Sequence, residues 1–229
     1  FAAPTAGLWS AHRKSPAVYS PFDPSIAQIA RPAARPALDA RLGIGPETVV
    51  LAFLGQFATR KRPLVFVETI AALRRMRPDL PLIALMLGEE FEPGIEAQIR
   101  ARLEALGVGD LIRMMGFVRP VEPWLAACDM LVVPAVEEPF GRTLIEAMLV
   151  GTPVVAAASG GNIEAIRNRG TGILARVDDP DDLAAHILDL IDHPQLAETI
   201  AHRARQEALT KFSVEHHVKK VTTIYREVL

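Results

Sequence analysis

Cysteine is almost missing from this chain. Its 229 residues include one, Cys128, which excludes an intramolecular disulfide framework and any Cys-rich zinc site. A single thiol suits a reducing compartment, so a cytoplasmic location is expected. An excess of either charge is missing too. The 25 Lys and Arg against 27 Asp and Glu give a net charge of -2, which leaves no electrostatic footprint for nucleic acid. No run approaches the roughly 18 apolar residues of a membrane helix, because Pro, Gly or charge interrupts each one. There is no initiator Met and no signal-peptide pattern; the chain opens at Phe1 and reads as a fragment or a trimmed product. Two nucleotide signatures are also lacking, the G-x-G-x-x-G and the G-x-x-x-x-G-K-[ST]. Without them, NAD-dependent oxidoreductase and P-loop readings lose their main support.

What is present divides the chain in two. At about 100–200 residues per domain the length allows one large domain or two small ones. A chain this long buries roughly 70–75% of its unfolded surface and needs no staple. Residues 1–46 are rich in Pro and Ala, and the stretch from Pro16 to Pro46 carries Pro21, Pro24, Pro32 and Pro36. Proline at that density reads mostly as linker. Within it Ser25–Arg31 and Pro36–Leu42 are candidates for short helices, the second with Gly43 as its cap.

From Thr48 onward short apolar runs alternate with amphipathic stretches. The runs are Val49–Leu54, Leu82–Leu87, Leu111–Met115, Met130–Val133, Val154–Ala157 and Gly172–Ala175. Several are apolar on both faces, as strands covered by helices on each side are. Helices are expected at Pro63–Met76, Pro93–Leu106, Val121–Ala127, Arg142–Val150, Asn162–Arg167, Pro180–Asp192, Pro194–Leu209 and Val214–Leu229, with Pro63 and Pro93 in first-turn positions. This alternation implies right-handed βαβ crossovers and a doubly wound parallel α/β sheet of about six strands with a helical C-terminal tail.

In such a sheet ligands bind beyond the carboxyl ends of the strands, so the loops there carry the chemistry. The first is Gly55-Gln56-Phe57-Ala58-Thr59-Arg60-Lys61-Arg62. Three cations at a helix start oppose the macrodipole. Either they form a solvated basic loop, or Lys61 or a neighbour faces a bound anion. The fourth loop runs through Glu138-Pro139-Phe140-Gly141-Arg142-Thr143 into Glu146. Gly141 permits close backbone approach, and the following helix offers free N–H groups for a diphosphate. Glu138 and Glu146, eight positions apart, can accept from different hydroxyls of one sugar-rich ligand. Two plainer readings stand beside these. Thr143-Leu-Ile-Glu146 also fits a capping box, and Glu138 also fits a solvated loop acid.

Glu138-Pro-Phe-Gly-Arg-Thr-Leu-Ile-Glu146-Ala-Met, followed by Gly151-Thr-Pro-Val-Val and Gly160-Gly161-Asn-Ile-Glu164, resembles the nucleotide-sugar half of GT-B glycosyltransferases. More narrowly, it resembles their retaining family 4, or "group 1", whose hallmark is an E-x7-E motif. The resemblance covers roughly residues 48–195, with Gly55, Lys61, Gly88, Gly116-Phe117-Val118, Asp129 and Pro134 matching in order. Tyr19-Ser-Pro-Phe-Asp23 is similar to the family's interdomain segment. The resemblance implies that Lys61 contacts the donor diphosphate, Glu138 the transferred sugar and Glu146 the nucleotide ribose. Backbone around Phe140, Gly141, Arg142 and Thr143 would hold sugar and phosphate, and backbone near Phe117 and Val118 the base. One position departs. The family's usual Gly-Arg is Gly55-Gln56 here, and Gln56 lacks the charged fork of Arg. Either Arg60 or Arg62 compensates, or diphosphate stabilisation is weak.

The expectation is therefore the donor-binding domain of a retaining, hexosyl-transferring glycosyltransferase that needs no metal or cofactor, its nucleotide diphosphate sugar being a substrate. Residues 1–20 would be the end of an N-terminal acceptor domain, 21–46 the linker, 47–209 the nucleotide-sugar-binding domain and 210–229 a crossover helix. The acceptor, whether sugar, lipid or small molecule, would be read by the other half, so this chain alone is expected to be inactive. Peripheral membrane contact is open for the intact enzyme. A non-catalytic nucleotide-sugar module and another GT-B enzyme, such as a sugar epimerase, remain as alternatives. His202, His216 and His217 read as surface residues, Cys128 as a small buried hydrophobe, and Trp9 and Trp124 as packing residues.

Overall fold

The computed structural model describes residues 18–228, so Trp9 and most of residues 1–20 lie outside the described residues. Six parallel strands form one sheet: β1 (Val49–Leu54), β2 (Leu82–Leu87), β3 (Ile112–Gly116), β4 (Met130–Val133), β5 (Val154–Ala157) and β6 (Ile173–Ala175). Their spatial order is β3-β2-β1-β4-β5-β6. β1 runs in register with β2 from Val49↔Leu82 to Leu54↔Leu87, and with β4 at Leu51↔Met130. The chain reverses its direction of growth between β1 and β4, which makes their carboxyl ends the switch point.

Nine helices accompany the sheet among the described residues: α1 (Arg31–Leu42), α2 (Pro63–Met76), α3 (Ile95–Leu106), α4 (Glu122–Ala127), α5 (Arg142–Val150), α6 (Gly161–Ala165), α7 (Pro180–Asp192), α8 (Pro194–Lys211) and α9 (Val214–Val228). Alternate strand residues feed two cores. Val50, Ala52, Leu85 and Leu131 pack with Leu38 of α1, Leu125 of α4 and Leu144 of α5. Leu51, Phe53, Met86 and Val132 pack with Phe66 and Ile70 of α2, Ile99 of α3 and Ile187 of α7. Helix α8 bridges the two, placing Ile200 in one core and Ala204 and Ala208 in the other. This is the doubly wound, Rossmann-like fold that the alternating pattern implies. No helix among the described residues is long and apolar enough to cross a membrane.

Most boundaries match the expected ones within two residues; three differences have physical causes. Helix α3 starts at Ile95 behind Gly94, which takes φ +86°, so Pro93 precedes the helix and is not in its first turn. Helix α6 is shorter than expected, because the backbone is already extended at Ile166. In the proline-rich stretch a 3₁₀ turn (Pro24–Gln28) precedes one continuous helix that runs through Pro36 and ends at Gly43 in the left-handed region. Proline removes one helical hydrogen bond, but side-chain bonds hold α1 from outside. Arg31 donates to the carbonyls of Ala127 and Cys128 and to Asp129 Oδ1 at 2.6 Å. Arg35 donates to Asp39, to Asp129 Oδ2 at 2.9 Å and to the Thr48 carbonyl. Asp129 also accepts from Val50 N at 2.7 Å, so one carboxylate ties α1 to the start of the sheet.

At the opposite end of the sheet the first two strands are brought unusually close. A Cβ on Gly88 would lie 1.9 Å from the Gly55 carbonyl oxygen, so only glycine fits there. Gly55 N donates to the Leu87 carbonyl at 3.0 Å and Gly88 N to the Gly116 carbonyl at 2.9 Å. These bonds set the floor of the site.

Candidate functional site

A cleft of about 610 Å³ opens beyond the carboxyl ends of β1, β2 and β3 and against the start of α5. Gly55, Gln56, Phe117, Val118, Thr143 and Glu146 all line it. So do Glu89, Arg119 and Glu122, which sequence reasoning passed over. Their only signal was position, Glu89 and Arg119 as charged residues in the loops after β2 and β3 and Glu122 as the first residue of α4. Phe117 is 62% exposed at the mouth, with the Arg119 guanidinium 5.3 Å from its ring centre.

Beside this cleft lies a charged cluster. Glu138 is only 7% exposed, and its Oε2 accepts from Arg60 Nη1 at 2.6 Å and from Lys61 Nζ at 2.8 Å. Both cations meet the same oxygen; among the described residues Oε1 has no donor. A solvated loop acid is therefore not what Glu138 is. Nor do the three cations form a solvated loop, since Arg62 pairs with Asp178 at 2.8 Å. Of the two candidates to stand in for an arginine at Gln56, the structure brings Arg60 to the cluster and turns Arg62 away. Lys61 links cluster and cleft, because a Cβ on Gly55 would touch its Cδ at 3.6 Å.

The loop that carries Glu138 is packed from below by α6. Gly161 N donates to the Glu138 carbonyl at 2.6 Å, and Glu137, with φ +49°, donates its N–H to Ser159 Oγ at 3.0 Å. A Cβ on Gly160 would lie 2.7 Å from the Glu138 backbone, so Gly160-Gly161 serve the close approach of this loop. Asn162, fully buried, donates from Nδ2 to the carbonyls of Ala135 and Ala157. Its Oδ1 faces Gly141 and has no donor among the described residues.

Gly141 is the N-cap of α5 and no side chain caps the helix. Thr143 is then the second helical residue, so the capping-box arrangement does not form and Glu146 is released from that role. Among the described residues the N–H groups of Phe140 and Gly141 meet no acceptor. They and the Thr143 N–H present unpaired donors together with the positive end of the helix dipole, whereas Arg142 N and Leu144 N already bond the carbonyls of Phe140 and Gly141. Glu146 projects into the cleft half-buried. Burial first, and then the like charge of Glu122, push its carboxyl above the ordinary value against the pull of Arg142 and Arg119.

Arg142 and Phe140 contribute backbone here and turn their side chains elsewhere. The Arg142 guanidinium lies 4.5 Å from the Phe22 ring centre, and Phe140 stacks on Tyr19. His217, expected at the surface, bonds the Tyr19 carbonyl through Nδ1 at 2.8 Å. Cys128 is buried, as expected, and burial pushes its thiol up to about 12. Trp124 packs under Arg41, 4.6 Å from the ring centre. Among the described residues no group of three or more His, Cys, Asp or Glu is placed to hold a metal ion.

The family model described as "Glycosyl transferases group 1" matches residues 34–207. A D-inositol 3-phosphate glycosyltransferase of Nocardioides sp. is 32% identical over 208 residues, which are 86% of this chain and 45% of that protein. One from Geodermatophilus obscurus is 36% identical over 181 residues, 75% of this chain and 40% of that protein. The chain thus spans just under half the length of these curated relatives. Among solved structures, Anabaena HepE in complex with UDP and glucose aligns with a TM-score of 0.83 at 25% identity, over 91% of this chain and 56% of that one. The C-terminal domain of a glycosyl transferase group 1 family protein, LpcC, from Francisella tularensis shares the fold, with a TM-score of 0.69 at 21% identity over 86% of this chain and 97% of that one.

Proposed function

Because the chain belongs to the group 1 glycosyl transferases, we propose that it is the donor-binding half of a retaining enzyme. That enzyme would move a hexosyl group from a nucleoside diphosphate sugar to an acceptor hydroxyl. The observation that carries this reading is the junction of two parts at one switch point: a nucleotide-sized cleft bearing Glu146, and a buried carboxylate, Glu138, held by Lys61 and Arg60. In this reading Glu146 accepts from ribose hydroxyls and Glu138 Oε1 from the sugar. Lys61, Arg60 and the N–H groups at the start of α5 face the diphosphate. They act where charge grows as the sugar–phosphate bond breaks, which is where fixed donors lower a barrier most. Backbone near Phe117 and Val118 receives the base. The same cations and dipole make a divalent metal unnecessary. The acceptor is read outside this chain, so the chain alone turns nothing over.

HepE's complex with UDP and glucose makes UDP the first nucleotide to try. A thermal-shift panel of UDP, GDP, ADP and their sugar conjugates, with and without EDTA, tests the reading. A ligand at a hundred times its dissociation constant adds about 2.7 kcal/mol, a rise of roughly 5–10 °C for a domain of this size. No rise with any of them at millimolar concentration would remove the proposal. Gln56, lining the cleft without a charge, favours a second reading as a binding module without turnover. Transfer by the full-length protein, with the product anomer read by proton NMR, separates the two and tests retention.

A further inference from the structure

The turn from Glu138 to Gly141 carries the free N–H groups, yet few of its own bonds hold it. No side chain caps α5, and the Gly161 N–H to Glu138 carbonyl bond lies two residues before Phe140. The side chains on either side of Gly141 are instead held by a segment far away in sequence. Tyr19 stacks on Phe140, with ring centres 4.7 Å apart and planes 22° from parallel. Phe22 lies against the Arg142 guanidinium at 4.5 Å. Two residues three apart thus grip two residues two apart, with Gly141 between them.

Tyr19 is itself pinned from three sides. Its hydroxyl donates to Glu164 Oε2 on α6 at 3.0 Å, its carbonyl accepts from His217 on α9 at 2.8 Å, and its ring meets the edge of Phe212 at 5.6 Å. Phe22 N donates to the Phe212 carbonyl at 3.0 Å. Burial and Glu164 raise the phenol above its ordinary value, so it stays a donor at neutral pH. Through Glu164, Tyr19 also fixes the helix on which the Glu138 backbone rests. Lys211 and Lys220 lie 5.3 and 5.8 Å from its ring centre, and cations over an aromatic face add to the hold.

We propose that Tyr19 is a positioning residue: by stacking on Phe140 it holds the phosphate-facing N–H groups of Phe140 and Gly141 in place for the leaving diphosphate. This rests on the donor-site reading above. Fixed dipoles stabilise an anion only insofar as they are already aimed, and one aromatic pair is enough to bias a short turn.

Three variants of the full chain test it: Tyr19→Ala, Tyr19→Phe, which keeps the ring and drops the Glu164 bond, and Tyr19→Leu should the alanine variant fold poorly. The first readout needs no ligand. Hydrogen exchange at the Arg142, Leu144 and Ile145 amides, which bond the carbonyls of Phe140 and Gly141, should quicken by about tenfold in Tyr19→Ala, as expected of a turn released to local opening, and stay near wild type in Tyr19→Phe. Unchanged exchange overturns the proposal. The second readout is calorimetric binding of UDP against UMP and of GDP against GMP. Tyr19→Ala should weaken the diphosphate about fivefold to tenfold, leave the monophosphate within about twofold, and be rescued by Tyr19→Phe. Equal loss for both nucleotides, or no loss, overturns the positioning role. If wild type binds no nucleotide while exchange still responds, the donor-site reading fails and the hold of Tyr19 on the turn stands.

Discussion

Glu146 is a residue that the fold would rather keep neutral. Its pKa is raised, first by burial, so the folded state resists its ionisation. The cost begins as pH passes the ordinary value near 4.5 and is complete above the raised folded value. Glu146→Gln should therefore raise the melting temperature at pH 7, and the gain should vanish toward pH 4, measured by calorimetry. The same change should weaken nucleotide binding at pH 7 by about tenfold, since it replaces a charged acceptor by a neutral one. A gain in stability with a loss of binding is the mark of a residue kept for a ligand. Arg60 and Arg62 separate in a similar test. Arg60→Ala should weaken nucleoside diphosphate binding by about fivefold or more, and Arg62→Ala by less than about twofold, because only Arg60 reaches Glu138. The E-x7-E spacing already pointed to Glu138 and Glu146. What it did not show was that Arg60 and Lys61 share one oxygen of Glu138, because such an arrangement depends on two loops that meet only after the sheet has formed.

Among the elements, α1 is the one whose existence runs against local propensity. Pro36 reads as the start of a short helix, yet it lies inside α1, where proline breaks an isolated helix. The helix exists because Asp129 collects Arg31, Arg35 and Val50 N, all on one carboxylate. Asp129→Ala takes the shared carboxylate from two guanidinium groups, one of them largely buried, and leaves them only Asp39 and backbone carbonyls. It should cost about 2–3 kcal/mol, or roughly 5–10 °C in melting temperature for a chain of this size, while nucleotide affinity stays within about twofold because the site lies at the other end of the sheet. The strands were legible for the opposite reason. Val49–Leu54 and Leu82–Leu87 are apolar on both faces, and only a sheet covered on both sides asks for that. Helix α3 shows the limit. Pro93 and Gly94 both suit a helix start, and Gly94 wins because its positive φ turns the chain before the helix begins.

Across the molecule, stability is uneven. Helices α2 and α7 bury Phe66, Ile70, Ile187 and Leu190 in one core, whereas Val214, Val218 and Tyr225 of α9 are more than half exposed. Amides of α9 should exchange at least about tenfold faster than those of α2, measured by hydrogen exchange with mass spectrometry. Fold class was readable because the alternating pattern runs unbroken from Val49 to Asp192. The contact of residues 19–22 with the start of α5 was not, because aromatic residues some 120 positions apart in sequence carry no period.

The bond from Phe22 N to the Phe212 carbonyl has a mechanical consequence. The polypeptide passes into and out of the sheet unit side by side, so anything attached through either crossing is tethered at a single spot. Such a tether yields to rotation more readily than to sliding, much as a door hung on one pin swings but does not slide. Since Tyr19 and Phe140 touch at that spot, a swing there would tug first on the turn ahead of α5 and last on the strands.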